Sequence, residues 1–356
     1  SSAFVAGNPV VIKPHPATPE CAAALVDVLK RAGAEDDAVK VVTDAVHGGP
    51  ITENAGSALV NSGVFAGVSF VGSTKVAADI NLSLAKIAAE RDAPLARLVA
   101  ETGGLNALVV DASALPEQAC DAIVRSFAQS AGQRCSSARV LVVDAGVKRE
   151  LLDMLKGALQ AMRVSEDVAD VATDVGPLIS AAAADAARAH CAALESLGGV
   201  LVAKTNGEDD GALFHPRVYD LNPDPGSDPL DGLEMCKKEV FAPVLHVVTY
   251  DGSRESLRET LLAMNEKGFA LTGGVMTRCE STKALVTDTL DCGNFYVNRD
   301  VVGAVVESQP FGGHGLSGNG AKAGSEHYLE QFVARKVVCE DTTAAGGNLE
   351  LMRTTG

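Results

Sequence analysis

Apolar positions along this chain alternate between two spacings: short Val-rich runs, and longer segments with apolar residues at helical period. Runs at residues 8–13, 39–42, 68–71 and 98–100 predict strands. Thr18 and Pro19 predict an N-cap and first-turn proline for a helix running to Ala32, where Gly33 stops it. A second helix is predicted over Thr74–Arg91. Strand, helix, strand, helix at this spacing is the pattern of a doubly wound α/β unit.

The pattern then continues in a second region. Asn106–Val110 and 138–143 predict strands around a helix at 116–130, and helices at 148–162 and 181–197 follow. Strands at 244–248, 271–276 and Asn294–Val297 flank a helix near 255–264. The polar, Pro/Gly-rich stretch 206–232 reads as a surface excursion, and the Thr/Gly-rich residues after Val338 as a frayed tail. The chain opens directly on a strand–helix unit, as though the start of a sheet were missing.

Composition narrows the partners. With 356 residues and 47% hydrophobic content the chain suits two domains with a sizeable interior, filled by Ala, Val and Gly without any Trp. A formal charge of −16 repels phosphate backbones, so nucleic acid and anionic membranes are not expected partners. No apolar run is long enough to span a bilayer, and no charged leader precedes a hydrophobic run, so no signal peptide is expected. Eight cysteines without a C-x-x-C pair predict reduced thiols and a cytoplasmic location. His190-Cys191 lacks partners at zinc-site spacing, so no metal is expected.

Several short motifs can carry chemistry. Gly132-Gln133-Arg134-Cys135-Ser136 lies between a helix and a strand, where a loop can aim a thiol at a cleft. Taken alone, Cys135 fits a buried small hydrophobe better than a nucleophile. Glu101 ends a strand before Gly103-Gly104, 34 residues ahead of Cys135. A carboxylate there can act as a base, or cap a helix in solvent. Gly72-Ser73-Thr74 runs from strand into helix, where free amides can receive a pyrophosphate, or simply make an N-cap. Lys13-Pro14, Glu239-Val240-Phe241-Ala242-Pro243 and Gln309-Pro310-Phe311-Gly312-Gly313 are ordinary singly.

Their joint order is not ordinary. Lys-Pro, Gly-Ser-Thr, Glu-Thr-Gly-Gly, Gly-Gln-x-Cys, Glu-Val-Phe-x-Pro and Pro-Phe-Gly-Gly, over residues 3–340, resemble the NAD(P)-dependent aldehyde dehydrogenase superfamily. Within it the chain looks most like L-glutamate γ-semialdehyde (1-pyrroline-5-carboxylate) dehydrogenase, as fused to proline dehydrogenase in bacterial proline-utilisation enzymes. The residues carrying that likeness are 131–136, Tyr296-Val297-Asn298-Arg299, 303–306, 309–320, Lys322-Ala323-Gly324 and His327-Tyr328-Leu329.

The resemblance implies a partial, N-terminally truncated Rossmann-type cofactor domain at 1–103, an α/β catalytic domain at 104–332, and an oligomerisation strand with tail at 333–356. It implies Cys135 as nucleophile and Glu101 as deacylating base. Lys13 and Glu239 would hold the riboses, Gly72 and Ser73 the pyrophosphate, and Phe311 the nicotinamide side. Gly324 and Ser325 would anchor the substrate carboxylate through backbone amides, with Ser136 assisting and Phe332 packing on the aliphatic stem. Residues 334–339 resemble the strand that pairs with a neighbouring subunit, so a homodimer or larger assembly is expected.

The chain departs from the family pattern twice. The family's N-terminal portion is absent, with an aromatic-Pro-Trp-Asn segment whose Asn donates to the oxyanion. Losing such a donor costs about 10²–10³ in rate, so this piece alone is expected to be impaired or inactive. Pro16 stands where many relatives place a Glu for the adenosine 2′-hydroxyl, which leaves NADP open beside the expected NAD. Oxidation of another semialdehyde, or a non-catalytic structural module, are the alternatives.

Overall fold

A computed structural model describes residues 2–44, 54–91, 93–167, 169–224, 226–305 and 307–341. After the short α1 (Ser2–Val5), β1 (Val10–Ile12) leads through α2 (Pro19–Arg31) to β2 (Val39–Val41), its parallel partner. Past α3 (Ala55–Ser62), β3 (Gly67–Val71) leads through α4 (Thr74–Arg91) to β4 (Arg97–Glu101), again in parallel. Among the described residues no ladder joins the two pairs, so the expected doubly wound unit is seen as two βαβ arms. Burial in this region is thin: Ala22, Val39, Ala77 and Leu84 are buried, while Leu25, Val28, Val71 and Leu82 are exposed.

The larger body begins with β5 (Asn106–Val110), α5 (Pro116–Ala128), β6 (Ala138–Asp144) and α6 (Lys148–Ala161). It continues with α7 (Ala181–Ser196), β7 (Val200–Lys204), β8 (Arg217–Asp220), α8 (Pro229–Met235), β9 (Val244–Tyr250) and α9 (Arg254–Asn265). The short β10 (Phe269–Ala270), β11 (Thr272–Met276), α10 (Glu280–Thr289), β12 (Asn294–Val297) and β13 (His314–Gly315) complete it. Seven strands form one sheet in the order β12-β11-β5-β6-β9-β8-β7, parallel except for β7 against β8. Every residue of β5, β6 and β11 is buried, because helices cover both faces; such strands read as continuous apolar runs rather than alternating ones. Leu151, Leu155 and Leu159 recur at one-turn spacing and turn a single face of α6 into the core.

Three expectations need correction. The stretch 206–232 is no mere surface excursion: it contains β8, a fully buried strand between β9 and β7. Its charged ends hid it, and partners neutralise them. Arg217 pairs with Asp209 through both carboxylate oxygens at 2.7 and 2.6 Å, and Asp220 pairs with Lys148 at 2.7 Å. Second, Thr18 makes no side-chain cap on α2, although Pro19 opens it as expected. Third, α3, β7 and α10 were not foreseen. Residues 333–341 form no strand in this chain, with Val337 83% and Val338 78% exposed, and the expected tail at 342–356 lies outside the described residues. No described helix is long and apolar enough to cross a membrane, and all eight cysteines are unpaired.

The contrast between thin arm and dense body is measurable. Leu155→Ala, at a fully buried position, should lower the unfolding free energy by about 2–5 kcal/mol. Leu25→Ala, half exposed on α2, should change it by about 0.5 kcal/mol or less in the same denaturant titration.

Candidate active site

Cys135 sits on the connection between α5 and β6. A single 3-10 turn, Gln129–Gly132, follows α5 and puts Ser130 (φ 56°), Ala131 (φ 53°) and Gly132 (φ 66°) successively in the left-handed region. Two residues with a Cβ in that region store strain. Gly132 is demanded by contact as well: a Cβ would lie 2.6 Å from the carbonyl of Ala242. Asn106, at the start of β5, ties the loop from the other side. Its Nδ2 donates to the carbonyls of Cys135 (2.7 Å) and Ser137 (2.8 Å), and its Oδ1 accepts from the Thr272 amide (3.0 Å). Thr272 Oγ1 donates to the Ser136 carbonyl at 3.2 Å. Strands β5 and β11 thereby fix the backbone that carries the thiol.

Burial pushes the Cys135 thiol up from its ordinary value, and the carboxylates of Glu239 and Glu101 add to that. The backbone amides of Ser136 and of Cys135 itself act the other way, favouring the thiolate. Glu101 ends β4 on the opposite wall. Its Oε2 accepts from the Gly313 amide at 3.4 Å, while its Oε1 is buried without a partner. Burial raises Glu101 to about 7, opposed by that amide and by the Lys322 ammonium. Gly312 leaves room for it, since a Cβ there would stand 2.8 Å from Oε1. A carboxyl that titrates near neutrality with a free oxygen is suited to take a proton from water.

Glu239 lies against Gly103 and Gly104. A Cβ on Gly103 would overlap its Oε2 at 1.7 Å, and the Gly104 amide donates to its Oε1 at 3.2 Å. Arg139, wholly buried in β6, faces the same carboxylate at 3.6 Å and donates to the carbonyls of Ala242 (3.0 Å) and Arg134 (3.2 Å). Its guanidinium also lies 5.5 Å from the centre of the Phe241 ring. Burial raises Glu239 above the usual carboxylate range, and Arg139 is the largest opposing influence.

The glycine-rich loop closes the cleft by adding to β4. Thr102 N–H donates to the Ser317 carbonyl (2.9 Å), and Asn319 bonds both the amide and the carbonyl of Ala100 at 2.8 and 3.1 Å. Phe311 and Ala323 exchange backbone bonds at 2.9 and 2.7 Å across the loop's neck. Beside it, the Gly72 amide donates to the Glu101 carbonyl at 3.2 Å. Gly72 and Ser73 are exposed at the N-terminus of the 18-residue α4, the kind of helix end whose free amides attract anions.

The structure therefore brings Cys135, Glu101, Glu239, Gly72 and Phe311 to one region, with Ser136 buried behind the thiol. Lys13 stands apart at the end of β1, paired with Asp44 at 2.7 Å. Gly324 (φ 78°) and Ser325 form a turn just past Ala323, but the Ser325 amide donates to the Lys322 carbonyl at 3.1 Å. Anchoring a carboxylate on that amide requires the turn to release it. Phe332 stacks edge-on against Tyr328, with ring centres 5.4 Å apart, and its carbonyl accepts from Asn8.

The description of the aldehyde dehydrogenase family matches residues 1–338. The chain belongs to that family. It is 39% identical to the bifunctional protein PutA of Klebsiella aerogenes, over 94% of this chain and 25% of the relative. It is 30% identical to the 1-pyrroline-5-carboxylate dehydrogenase of Bacillus pumilus, over 95% of this chain and 62% of the relative. Among solved structures, Bradyrhizobium japonicum proline utilization A superposes with a TM-score of 0.82 at 40% identity, covering 93% of this chain and 32% of that one. The 1-pyrroline-5-carboxylate dehydrogenase from Thermus with bound NAD gives 0.78 at 27% identity, covering 93% of this chain and 61% of that one. The chain thus spans about a quarter of the bifunctional relative's length and under two thirds of the monofunctional one's.

Sequence reading missed Asn106, Arg139, Lys322, Tyr328 and Phe241 as parts of the cleft. A signal existed for two of them: Asn106 and Arg139 are lone polar residues at the head of Val-rich strands, where a polar side chain must have a buried partner. Asn106→Ala would strand two carbonyls and an amide, and should cost about 1–3 kcal/mol of stability. The same variant should change the rate at which iodoacetamide alkylates Cys135 in the folded protein, compared by mass spectrometry of the labelled peptide. An unchanged rate would mean that the loop holds its shape without this tie.

Proposed function

We propose that this chain supplies the nucleophile and the base for NAD-dependent oxidation of L-glutamate γ-semialdehyde to L-glutamate, a step of proline catabolism. One observation carries the chemistry: Cys135 and Glu101, from different elements, share a cleft in which Glu101 titrates near 7 with one oxygen unpaired. The names of the relatives, PutA and 1-pyrroline-5-carboxylate dehydrogenase, support the substrate.

The Cys135 thiolate adds to the aldehyde carbon, forming a thiohemiacetal whose oxyanion needs preorganised donors. NAD, when bound, supplies the hydride acceptor. Loss of hydride leaves a thioester on Cys135. Glu101 then takes a proton from water, the hydroxide displaces sulfur, and glutamate departs with the thiol restored. On the cofactor side, Gly72 and Ser73 would receive the pyrophosphate at α4, Lys13 and Glu239 the riboses, and Phe311 the nicotinamide side. Holding a ribose requires Glu239 to leave Gly104 and Arg139. Pro16, unable to bond a 2′-hydroxyl, does not by itself separate NAD from NADP. Gly324, Ser325, Ser136 and Phe332 would receive the substrate's amino-acid end and stem. The bifunctional name of the PutA relatives supports a proline dehydrogenase domain in the longer protein. Residues 334–339, exposed and without a strand partner in this chain, would pair between subunits in a dimer or larger assembly.

NADH formation with L-glutamate γ-semialdehyde tests this reading in the chain as it stands and in a form extended at its N-terminus. Turnover in the extended form should vanish in Cys135→Ala made in that background. No turnover in a folded, extended enzyme sinks the substrate assignment. Glu101→Gln should keep single-turnover NADH formation but slow steady-state turnover about 10²–10⁴-fold. Because the base is the ionised carboxylate, deacylation-limited turnover should rise with pH through about 7 and fall below it. A flat profile across that range would remove Glu101 from the deacylation step.

A further inference from the structure

Lys322 occupies a position that the chemistry above leaves unexplained. Its ammonium donates to the carbonyls of Gly293 and Gly312 (2.7 Å to the latter) and to Asn294 Oδ1 at 3.3 Å. Asn294 reinforces the same segment: its Oδ1 accepts from the Gly312 amide (3.2 Å) and its Nδ2 donates to the Pro310 carbonyl (2.9 Å). The next residue along, Gly313, is the one whose amide reaches Glu101. Gly293 is packed so tightly on this segment that a Cβ there would lie 2.0 Å from the Gly312 oxygen. A lysine half-buried among carbonyls, beside a carboxyl it does not bond, is more than a surface charge.

We propose that Lys322 is a positioning residue for the deacylation step, clamping Gly312 and Gly313 against the Glu101 carboxyl. This deepens the reading of Glu101 as base and rests on it. The clamp acts in two ways. It fixes the Gly313 amide where it donates to Glu101 Oε2 at 3.4 Å, and it sets a positive charge beside the carboxylate. Both favour the ionised form and so oppose the effect of burial. The other titratable groups facing Glu101 are the Cys135 thiol and the Tyr328 hydroxyl, neither of them cationic. Lys322 is therefore the one cation among these neighbours, and its charge acts together with the Gly313 amide against the effect of burial.

The test is the titration of Glu101 itself, in the longest folded form of the protein, by isotope-edited infrared of carboxyl-labelled Glu. Its band is assigned by disappearance in Glu101→Gln. In Lys322→Met the midpoint should rise by about one pH unit from its native value, a tenfold change in proton affinity. Lys322→Arg, which keeps the charge, should recover part of that rise. With substrate, the acid limb of turnover should move by the same amount in Lys322→Met while the single-turnover rate of NADH formation stays unchanged. An unmoved midpoint in Lys322→Met overturns the proposal. Equal loss of both rates with an unmoved limb overturns it too, and assigns Lys322 to packing. If Lys322→Met does not fold, Asn294→Ala loosens the same clamp with the ammonium in place and should raise the midpoint by a smaller step; no rise there is equally fatal. Since the titration needs no aldehyde, it stands even if the substrate assignment fails.

Discussion

Burial on both faces leaves a parallel strand nowhere to put polar side chains except its ends, and this chain's chemistry is distributed accordingly. Asn106, Thr272 and Asn294 are the first residues of β5, β11 and β12, and Arg139 is the second of β6. Cys135 lies just ahead of β6, so the larger body presents the amino ends of its strands to the cleft. Glu101 and Gly72 come from the carboxyl ends of β4 and β3 in the smaller arm. The cleft is where these two sets of strand ends meet.

Bringing strand ends together forces charges out of water, and the site is organised around offsetting that cost. Arg139 is fully buried, yet it meets two carbonyls and the Glu239 carboxylate. Glu239 in turn meets the Gly104 amide, in space that Gly103 leaves free. Lys322 meets two carbonyls and Asn294. Glu101 is the one carboxylate among the described residues with a buried oxygen lacking a partner, although Ser137 Oγ and Arg139 Nε are buried without one as well. An orphaned buried carboxylate oxygen is a place where a water could be held.

Much of this was legible in the residues. Long helices with clear period, such as α4 and α6, fell where their apolar spacing put them, and the Val-rich strands β5, β6 and β9 did as well. The ordered motifs around Cys135, Glu101 and the loop at 309–320 were enough to recognise the aldehyde dehydrogenase family. What resisted reading was whatever depends on a distant partner. β8 looked like a loop because Arg217 and Asp220 are charged, and only their pairing with Asp209 and Lys148 makes them buriable. Arg134 is next to the thiol in sequence but turns to Ser130, while Arg139, five residues further, is the cation that faces Glu239. Lys322 has no local pattern at all, since its three acceptors come from β12, the residue before it, and the glycine loop.

The uneven density of the fold gives the glycine loop a second consequence. The larger body has a continuous core, whereas the arm that carries Glu101 and Gly72 buries few side chains. What ties the end of β4 to the body is chiefly backbone bonding: Ser317, Gly318 and Asn319 lie along it as an added strand. Thr74 and Thr102 both donate to the Leu316 carbonyl, at 2.9 and 2.6 Å, bringing the start of α4 under the same control. The loop that Lys322 braces thus also joins the end of β4 and the start of α4 to the larger body. Side chains in a loop of glycines could not approach β4 so closely: a Cβ on Gly318 would stand 2.9 Å from the Ala100 carbonyl. The glycines are there because two pieces of backbone must touch.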